Sequence, residues 1–230
     1  MVIFDFIKWK SIDAYREIKR IKNGHEKKIH IYGIEGYFGL PGAGKTMAMT
    51  ERLRRYREKY DNKIIIMTNY YCKYQDEEFK HWKQLLREYD KPLVLAWDEV
   101  QNEFNSRNFK NFPVELLTML TQNRKGNGKQ ILYSAQRWDR VDKVFRELTI
   151  YAHDCKTLFG RLTRVKKYHW EDYIMKNDIT NVDKKMKIRP ISVHSFVQDD
   201  ELRSSYDSYK MLESARSKEY MTREEIVKLL

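Results

Sequence analysis

The residues Gly39-Leu40-Pro41-Gly42-Ala43-Gly44-Lys45-Thr46 fill the pattern GxxxxGK[ST], with one further glycine inside it. Glycines let successive backbone N–H groups curl around a phosphate, and a helix opening there adds the partial positive charge of its N-terminus. Lys45 is then placed to reach the β- and γ-phosphates, and the Thr46 hydroxyl to bind Mg²⁺. The expected ATP contacts are Gly39, Pro41, Gly42, Ala43, Gly44, Lys45 and Thr46.

A second motif lies about fifty residues on, where Leu93-Val94-Leu95-Ala96-Trp97 runs into Asp98-Glu99. Behind a P-loop, an apolar strand ending in two acids reads as Walker B. Asp98 is expected to hold Mg²⁺, and Glu99 to orient and deprotonate the attacking water. The Asp-Glu pair favours hydrolysis over transfer to a small acceptor. Gln136 ends the next apolar run, at the strand edge where an open α/β sheet keeps its ligand crevice; it is expected to sense the γ-phosphate or the water. Arg124, in Asn123-Arg124-Lys125-Gly126-Asn127-Gly128, has the chemistry to stabilise transition-state charge if presented to a neighbour's nucleotide.

These residues need a scaffold, and the hydropathy pattern supplies one. Residues 29–38, 63–68, 93–97, 130–135 and 149–153 read as short strands. Residues 45–60, 76–89, 113–123 and 138–148 read as helices between them, with Pro113 in a first turn. Short apolar strands alternating with helices predict an α/β fold with a mostly parallel sheet covered on both faces. Residues 3–22 predict an amphipathic helix stopped by Asn23-Gly24. Its apolar side suits its own core, a neighbouring subunit or a membrane, the first two being favoured. After residue 158, alternating basic and apolar residues predict a hairpin. A strand near 191–197 and helices near 204–215 and 222–229 follow. The expected organisation is an N-terminal helix (1–28), a P-loop core (29–158) and a basic extension (159–230) completing the same domain.

Composition narrows the class. The 230 residues are 41% hydrophobic and 34% charged, with 13% aromatics, which suits a folded core and not a disordered chain. No run of about 18 uncharged apolar residues predicts a membrane span, and the N-terminus lacks the basic region and apolar core of a secretory signal. Cys72 and Cys155 form no CxxC pair and read as buried free thiols of a reducing, cytoplasmic setting. The six histidines have no zinc-site spacing. The formal charge is +12, favouring an anionic polymer or surface as partner. Residues 160–190 concentrate it, with nine basic side chains against four acidic ones and Tyr168, Trp170 and Tyr173 interleaved.

The combination of GLPGAGKT, LVLAWDE and NRKGNGKQILYSAQRWDRVDKVFRELTIYA resembles the FtsK/HerA superfamily of DNA-pumping ATPases. Within it, the chain is most similar to Zot-like assembly ATPases of filamentous phages and to small viral genome-packaging ATPases. Tyr206-Asp207-Ser208 resembles a short element near the end of the Zot-like domain. The resemblance spans roughly residues 30–210. It implies a RecA-like core and a homo-oligomeric ring with nucleotide between subunits. An arginine would act in trans, a role carried to Arg124 with Arg146 in reserve. Implied partners are double-stranded DNA bound without sequence preference, further copies of the chain, and a portal or membrane-vertex protein.

The resulting expectation is an ATP-driven, Mg²⁺-dependent motor that moves DNA into a viral particle. A Zot-like assembly ATPase is the nearest alternative, although such proteins usually carry a membrane span. A basic, non-hydrolysing DNA- or membrane-binding scaffold is a further one, which intact Lys45, Thr46, Asp98 and Glu99 argue against. A nucleoside kinase would need an arginine-bearing lid, a GTPase an NKxD element and an ABC ATPase an LSGGQ-type segment.

Overall fold

The computed structural model describes residues 2–24, 28–104, 112–177 and 188–207. Residues 1–30 and 31–230 form two separate units. The first contains helix α1 (Val2–Lys22). Asp5 stands in its first turn and Lys19, Arg20 and Lys22 in its last, the polarity that suits a helix dipole. Gly24, at φ 83°, closes it as the Asn23-Gly24 stop predicts.

The second unit is an α/β fold on an eight-stranded sheet. Its elements are β1 (Gly33–Phe38), α2 (Lys45–Tyr60), β2 (Ile65–Thr68), β3 (Tyr71–Cys72), β4 (Glu77–Glu78), β5 (Leu93–Trp97), α3 (Val114–Thr121) and β6 (Lys129–Ala135). There follow α4 (Lys143–Leu148), β7 (Thr149–Leu158), β8 (Leu162–His169), α5 (Trp170–Asn177), β9 (Ser192–Val197), α6 (Asp200–Ser204) and β10 (Tyr206–Asp207). The strand order is β4-β2-β5-β6-β1-β7-β8-β9, parallel from β4 to β7 and antiparallel across β7-β8-β9. β10 pairs with β3 in a small second sheet. This is the expected RecA-like arrangement: β6 is inserted between β1, which leads into Gly39–Thr46, and β5, which runs into Asp98-Glu99.

The central strands are buried on both faces; every residue of β1 and β5 is inside. That is why β5 reads as an unbroken apolar run, whereas β1 also buries Glu35. On one face Phe38, Trp97, Tyr133, Phe145, Trp170 and Tyr173 belong to a single core cluster. Its rings meet edge-on, as Trp97 and Phe145 do with centroids 5.8 Å apart at 86°, or stacked, as Phe38 and Tyr173 do at 22°. Cys72 and Cys155 are buried free thiols, and burial pushes the Cys72 thiol up to about 11.

Three expected elements are corrected. Residues 76–89 are not a helix but β4 followed by a 3₁₀ turn at Trp82–Leu86. Phe79, Trp82 and Leu85 imitate helical spacing. The Gln84 side chain instead folds the segment on itself, accepting from Lys80 N–H (2.7 Å) and His81 N–H (2.9 Å) and donating to Glu77 (3.0 Å). Residues 138–148 break into a 3₁₀ turn (Trp138–Arg140) and α4, because Asp142 leaves the helical conformation to cap Val144 N–H at 2.8 Å. Of the helix expected near 204–215, residues 204–207 are described and are not helical beyond Ser204: α6 ends there, and Tyr206–Asp207 is strand. Residues 208–230, with the expected helix at 222–229, lie outside the described residues. β7 runs to ten residues, well past the expected 149–153, because it pairs with β1 on one side and β8 on the other.

Candidate nucleotide site

The parallel strands bring their C-terminal ends together, and the motifs meet there. β1 ends at Phe38, and the chain turns through Gly39–Gly44 into α2. Gly42 and Gly44 take φ values of 78° and 84°, a region that side chains rarely adopt. At Gly44 a Cβ would also stand 2.6 Å from Thr157 Oγ1 and 3.1 Å from Thr163 Oγ1. This glycine is what lets the start of α2 rest on β7 and β8. A Cβ at Gly42 would meet nothing within 4 Å, so the loop opens there. Such a turn makes a backbone concavity suited to an anion. Thr157 Oγ1 donates to Ala43 C=O at 3.1 Å, fixing the loop from the sheet.

Lys45 is buried and folds along the loop, donating to Gly39 C=O at 3.1 Å, with its Nζ 3.7 Å from Glu99 Oε1. Thr46 Oγ1 donates to Asp98 Oδ2 at 2.9 Å. The sheet register explains the pairing of Asp98 with β6. Trp97 opposes Tyr133, so Asp98 and Glu99 emerge beside Ser134 and Ala135. Ser134 Oγ donates to Asp98 Oδ1 and accepts from Glu99 N–H at 2.9 Å. Glu99 sits in the left-handed region at φ 53°, a conformation costly for a glutamate, and that hydrogen bond helps to hold it. Its carboxylate accepts from Gln101 Nε2.

Asn69, just past β2, clamps the Asp98 backbone from the other side. Its Nδ2 donates to Asp98 C=O at 3.0 Å and its Oδ1 accepts from Asp98 N–H at 2.7 Å. Burial pushes the Asp98 carboxyl above its usual range, although the Ser134 and Thr46 hydrogen bonds and Lys45 pull the other way. Sequence reasoning misses Asn69, Ser134 and Gln101. They belong to no motif of their own, and only strand order places two of them against Asp98.

The donor set fits Mg²⁺ with ATP. A hydroxyl and a carboxylate in contact are hard oxygen ligands, and Mg²⁺ needs few of these when phosphates and water complete its shell. No group of three or more acidic, histidine or cysteine side chains that could by itself hold a metal ion forms among the described residues. A divalent cation here would also favour the ionised form of Asp98. Thr46 and Asp98 would hold the metal, and Lys45 and the loop amides the phosphates.

Gln136 follows Ala135, the register partner of Phe38, so it stands beside Gly39 at the mouth of the site. Arg124 is elsewhere. Its exposed loop, closed by Lys129 N–H to Asn123 C=O at 2.7 Å, enters β6 at the N-terminal edge of the sheet. The seven residues of β6 separate it from the nucleotide edge by about 20 Å at 3.3 Å per residue. That distance removes a role toward its own P-loop. Gly128 in the same loop packs against the Ile31 carbonyl, which a Cβ would approach to 2.3 Å. Arg146 lies 5.4 Å over the Trp138 ring.

Lys166 and Lys167 are neighbours in sequence and separate in space. Strand alternation sends Lys166 to a cleft beside Gly39–Ala43, shared with Arg164, and Lys167 to the α2 side. Lys184 and Lys185 lie outside the described residues. No helix among the described residues is long and apolar enough to cross a membrane.

No family model matches the chain, and no curated protein does. Among solved structures it is similar to the N-terminal domain of zonular occludens toxin from Neisseria meningitidis, with 17% identity, 77% of this chain and 100% of that chain covered, and a TM-score of 0.46. It is also similar to the genome packaging NTPase B204 from Sulfolobus turreted icosahedral virus 2. For the sulfate complex the identity is 11%, the coverage 74% of this chain and 96% of that chain, and the TM-score 0.47. For the ATP-gammaS complex the values are 14%, 55%, 76% and 0.45.

Proposed function

We propose that the chain is a Mg²⁺-dependent ATPase whose hydrolysis drives movement of double-stranded DNA, as in packaging of a viral genome. The observation that carries the ATPase reading is the convergence of Lys45, Thr46, Asp98 and Glu99 at one edge of the sheet, joined by the Thr46–Asp98 hydrogen bond at 2.9 Å. Bound Mg²⁺ would supply charge neutralisation at the β- and γ-phosphates. Lys45 would add a cation there. Glu99, held by Ser134 and Gln101, is the base for the attacking water, and Gln136 at the mouth can orient that water.

The DNA half of the reading is supported by the +12 charge and by the resemblance of the sequence motifs to DNA-pumping ATPases. In a ring, the position of Arg124 far from its own P-loop is compatible with service to a neighbour's nucleotide. A portal or membrane-vertex protein would then be the docking partner, and the host cytoplasm the place of action. ATP turnover with and without duplex DNA, with mass measurement of the assembly, tests the reading. Stimulation by DNA in an oligomer is expected. Turnover that DNA does not alter in a stable monomer would overturn the motor and leave an ATPase.

A further inference from the structure

Away from the nucleotide edge, α2 and the last three strands of the sheet enclose a second cleft of about 440 Å³. Arg52, Arg55, Tyr56 and Lys59 reach it from α2 at spacings that put them on one side of the helix. Lys167 on β8 and Ser192 and His194 on β9 line the opposite wall. None of the described residues lining the cleft is acidic.

The floor is a closed polar network. Arg52 forks the Glu35 carboxylate at 2.7 and 2.9 Å, and His153 Nε2 meets it at 2.6 Å. Tyr56 Oη donates to Gln130 Oε1 at 2.8 Å, and Gln130 Nε2 donates to Glu35 at 3.1 Å. Glu35 is thus fully engaged by Arg52 and its neighbours and reaches Lys167 at 3.6 Å, while Lys167 Nζ also lies 3.7 Å over the Tyr151 ring. The upper cations have weaker answers still. Arg55 is 3.7 Å from Glu51, which Arg54 holds at 2.7 Å, and Lys59 lies 4.9 Å over the Tyr60 ring. On the facing wall His194 Nε2 is buried without a hydrogen-bond partner.

We propose that this cleft is a second phosphate-binding site, separate from the P-loop, in which Arg55, Lys59 and Lys167 take phosphate oxygens. Cations from two facing elements suit a group with several charged oxygens better than a single carboxylate. An arginine fork and lysine point charges are the usual pair for it. The volume falls in the range of sites for nucleotide-sized molecules. A free nucleotide and the backbone of a DNA strand present the same group. The site stands apart from the ATPase reading, because it uses none of Lys45, Thr46, Asp98 or Glu99.

The test compares the exposed pair Arg55→Ala/Lys59→Ala with a charge-matched control, Lys80→Ala/Lys143→Ala, on elements away from the cleft. Thermal melting checks that both variants fold, and the single variant Lys59→Ala stands in if the double does not. One arm titrates a fluorescent DNA duplex at several salt concentrations. The other counts ADP bound per chain by calorimetry. If DNA is the source, the cleft pair weakens duplex binding on the order of tenfold and lowers the salt slope by about one per cation removed, and the control does much less. If a free nucleotide is the source, the wild type binds a second ADP per chain that the cleft pair loses. The proposal is overturned if the cleft pair behaves as wild type with both probes, or if the control loses as much.

Discussion

Lys45 Nζ lies 3.7 Å from Glu99 Oε1, so the cation of the P-loop and the acid proposed to activate water face one another across the sheet edge. Each limits the other's freedom. Glu99→Gln keeps the shape and removes the base. It is expected to hold ATP at least as tightly as wild type while hydrolysis falls by about 10²–10⁴. Lys45→Ala should lose both nucleotide binding and turnover. Filter binding and phosphate release measured on the same preparations check this, and wild-type turnover by Glu99→Gln removes Glu99 from the mechanism.

Asp98 sets stability against activity. Burial raises its carboxyl above the unfolded value, so its favourable contribution is complete below the ordinary carboxylate range and is lost as pH rises through the folded value. At neutral pH the ionised, buried carboxylate costs stability. Asp98→Asn should therefore raise Tm at pH 7 and change it less near about pH 4. Mg²⁺-dependent turnover should drop on the order of 10² or more. A lower Tm at pH 7 would show that hydrogen bonds to the carboxylate outweigh its desolvation.

The Ser134 hydroxyl joins both acids, and Ser134→Ala leaves Asp98 with one partner fewer and Glu99 N–H unanswered. A hydrogen bond to a charged group is worth about 1.5–3 kcal/mol. The expected phenotype is a higher requirement for Mg²⁺ together with a lower kcat, partly restored by Ser134→Thr. Steady-state kinetics over a Mg²⁺ titration decides it; unchanged kinetics would reduce Ser134 to a packing residue.

The Glu35 network gives an acid limit. Burial alone would raise the Glu35 carboxyl, but the charge of Arg52 and the hydrogen bonds from His153 and Arg52 hold it well below the usual range. Its stabilisation is present above the unfolded value and fades as pH falls toward the folded one. Burial lowers His153, against the pull of Glu35, so protonation of the unfolded chain begins to cost stability below about pH 6.5. Arg52→Ala strands a buried carboxylate and should cost about 3–5 kcal/mol. Denaturant melts at about pH 3, 5 and 7 on wild type and Arg52→Ala check these statements.

Arg124→Ala is expected to bind ATP nearly as wild type and to hydrolyse it about 10³-fold more slowly, if it serves a neighbour. Mixed with Lys45→Ala chains it should regain part of the activity, because some interfaces pair an intact P-loop with an intact arginine. Co-assembly without recovery would discard Arg124 as the trans group.

The nucleotide edge was legible because its chemistry is local. Eight consecutive residues make the P-loop, and five apolar residues ending in two acids make Walker B, so both could be placed before any fold was known. Strands fully buried by tertiary pairing, such as β5, also announced themselves as apolar runs. What stayed hidden depends on register. Ser134 and Asn69 are ordinary polar residues at strand ends until β6 and β2 are set beside β5. Helical periodicity misled at residues 76–89, where a glutamine side chain answers the backbone groups a helix would have paired. Adjacent lysines read as one patch at 166–167, yet a strand points them to opposite sides.

β1 lies between β6 and β7, and Glu35 within it bonds to Gln130 and His153, which follow it by 95 and 118 residues. During synthesis at about 5–20 residues per second, this fully buried strand, with its Glu35 carboxylate, waits roughly 5 to 25 s for the partners that flank it. The P-loop leaves the ribosome early as sequence and becomes a cradle late, when β7 arrives to support Ala43 and Gly44. A nascent chain halted before β6 should carry every residue of the motif and retain no nucleotide, so ATP can guard the finished fold but cannot template its beginning.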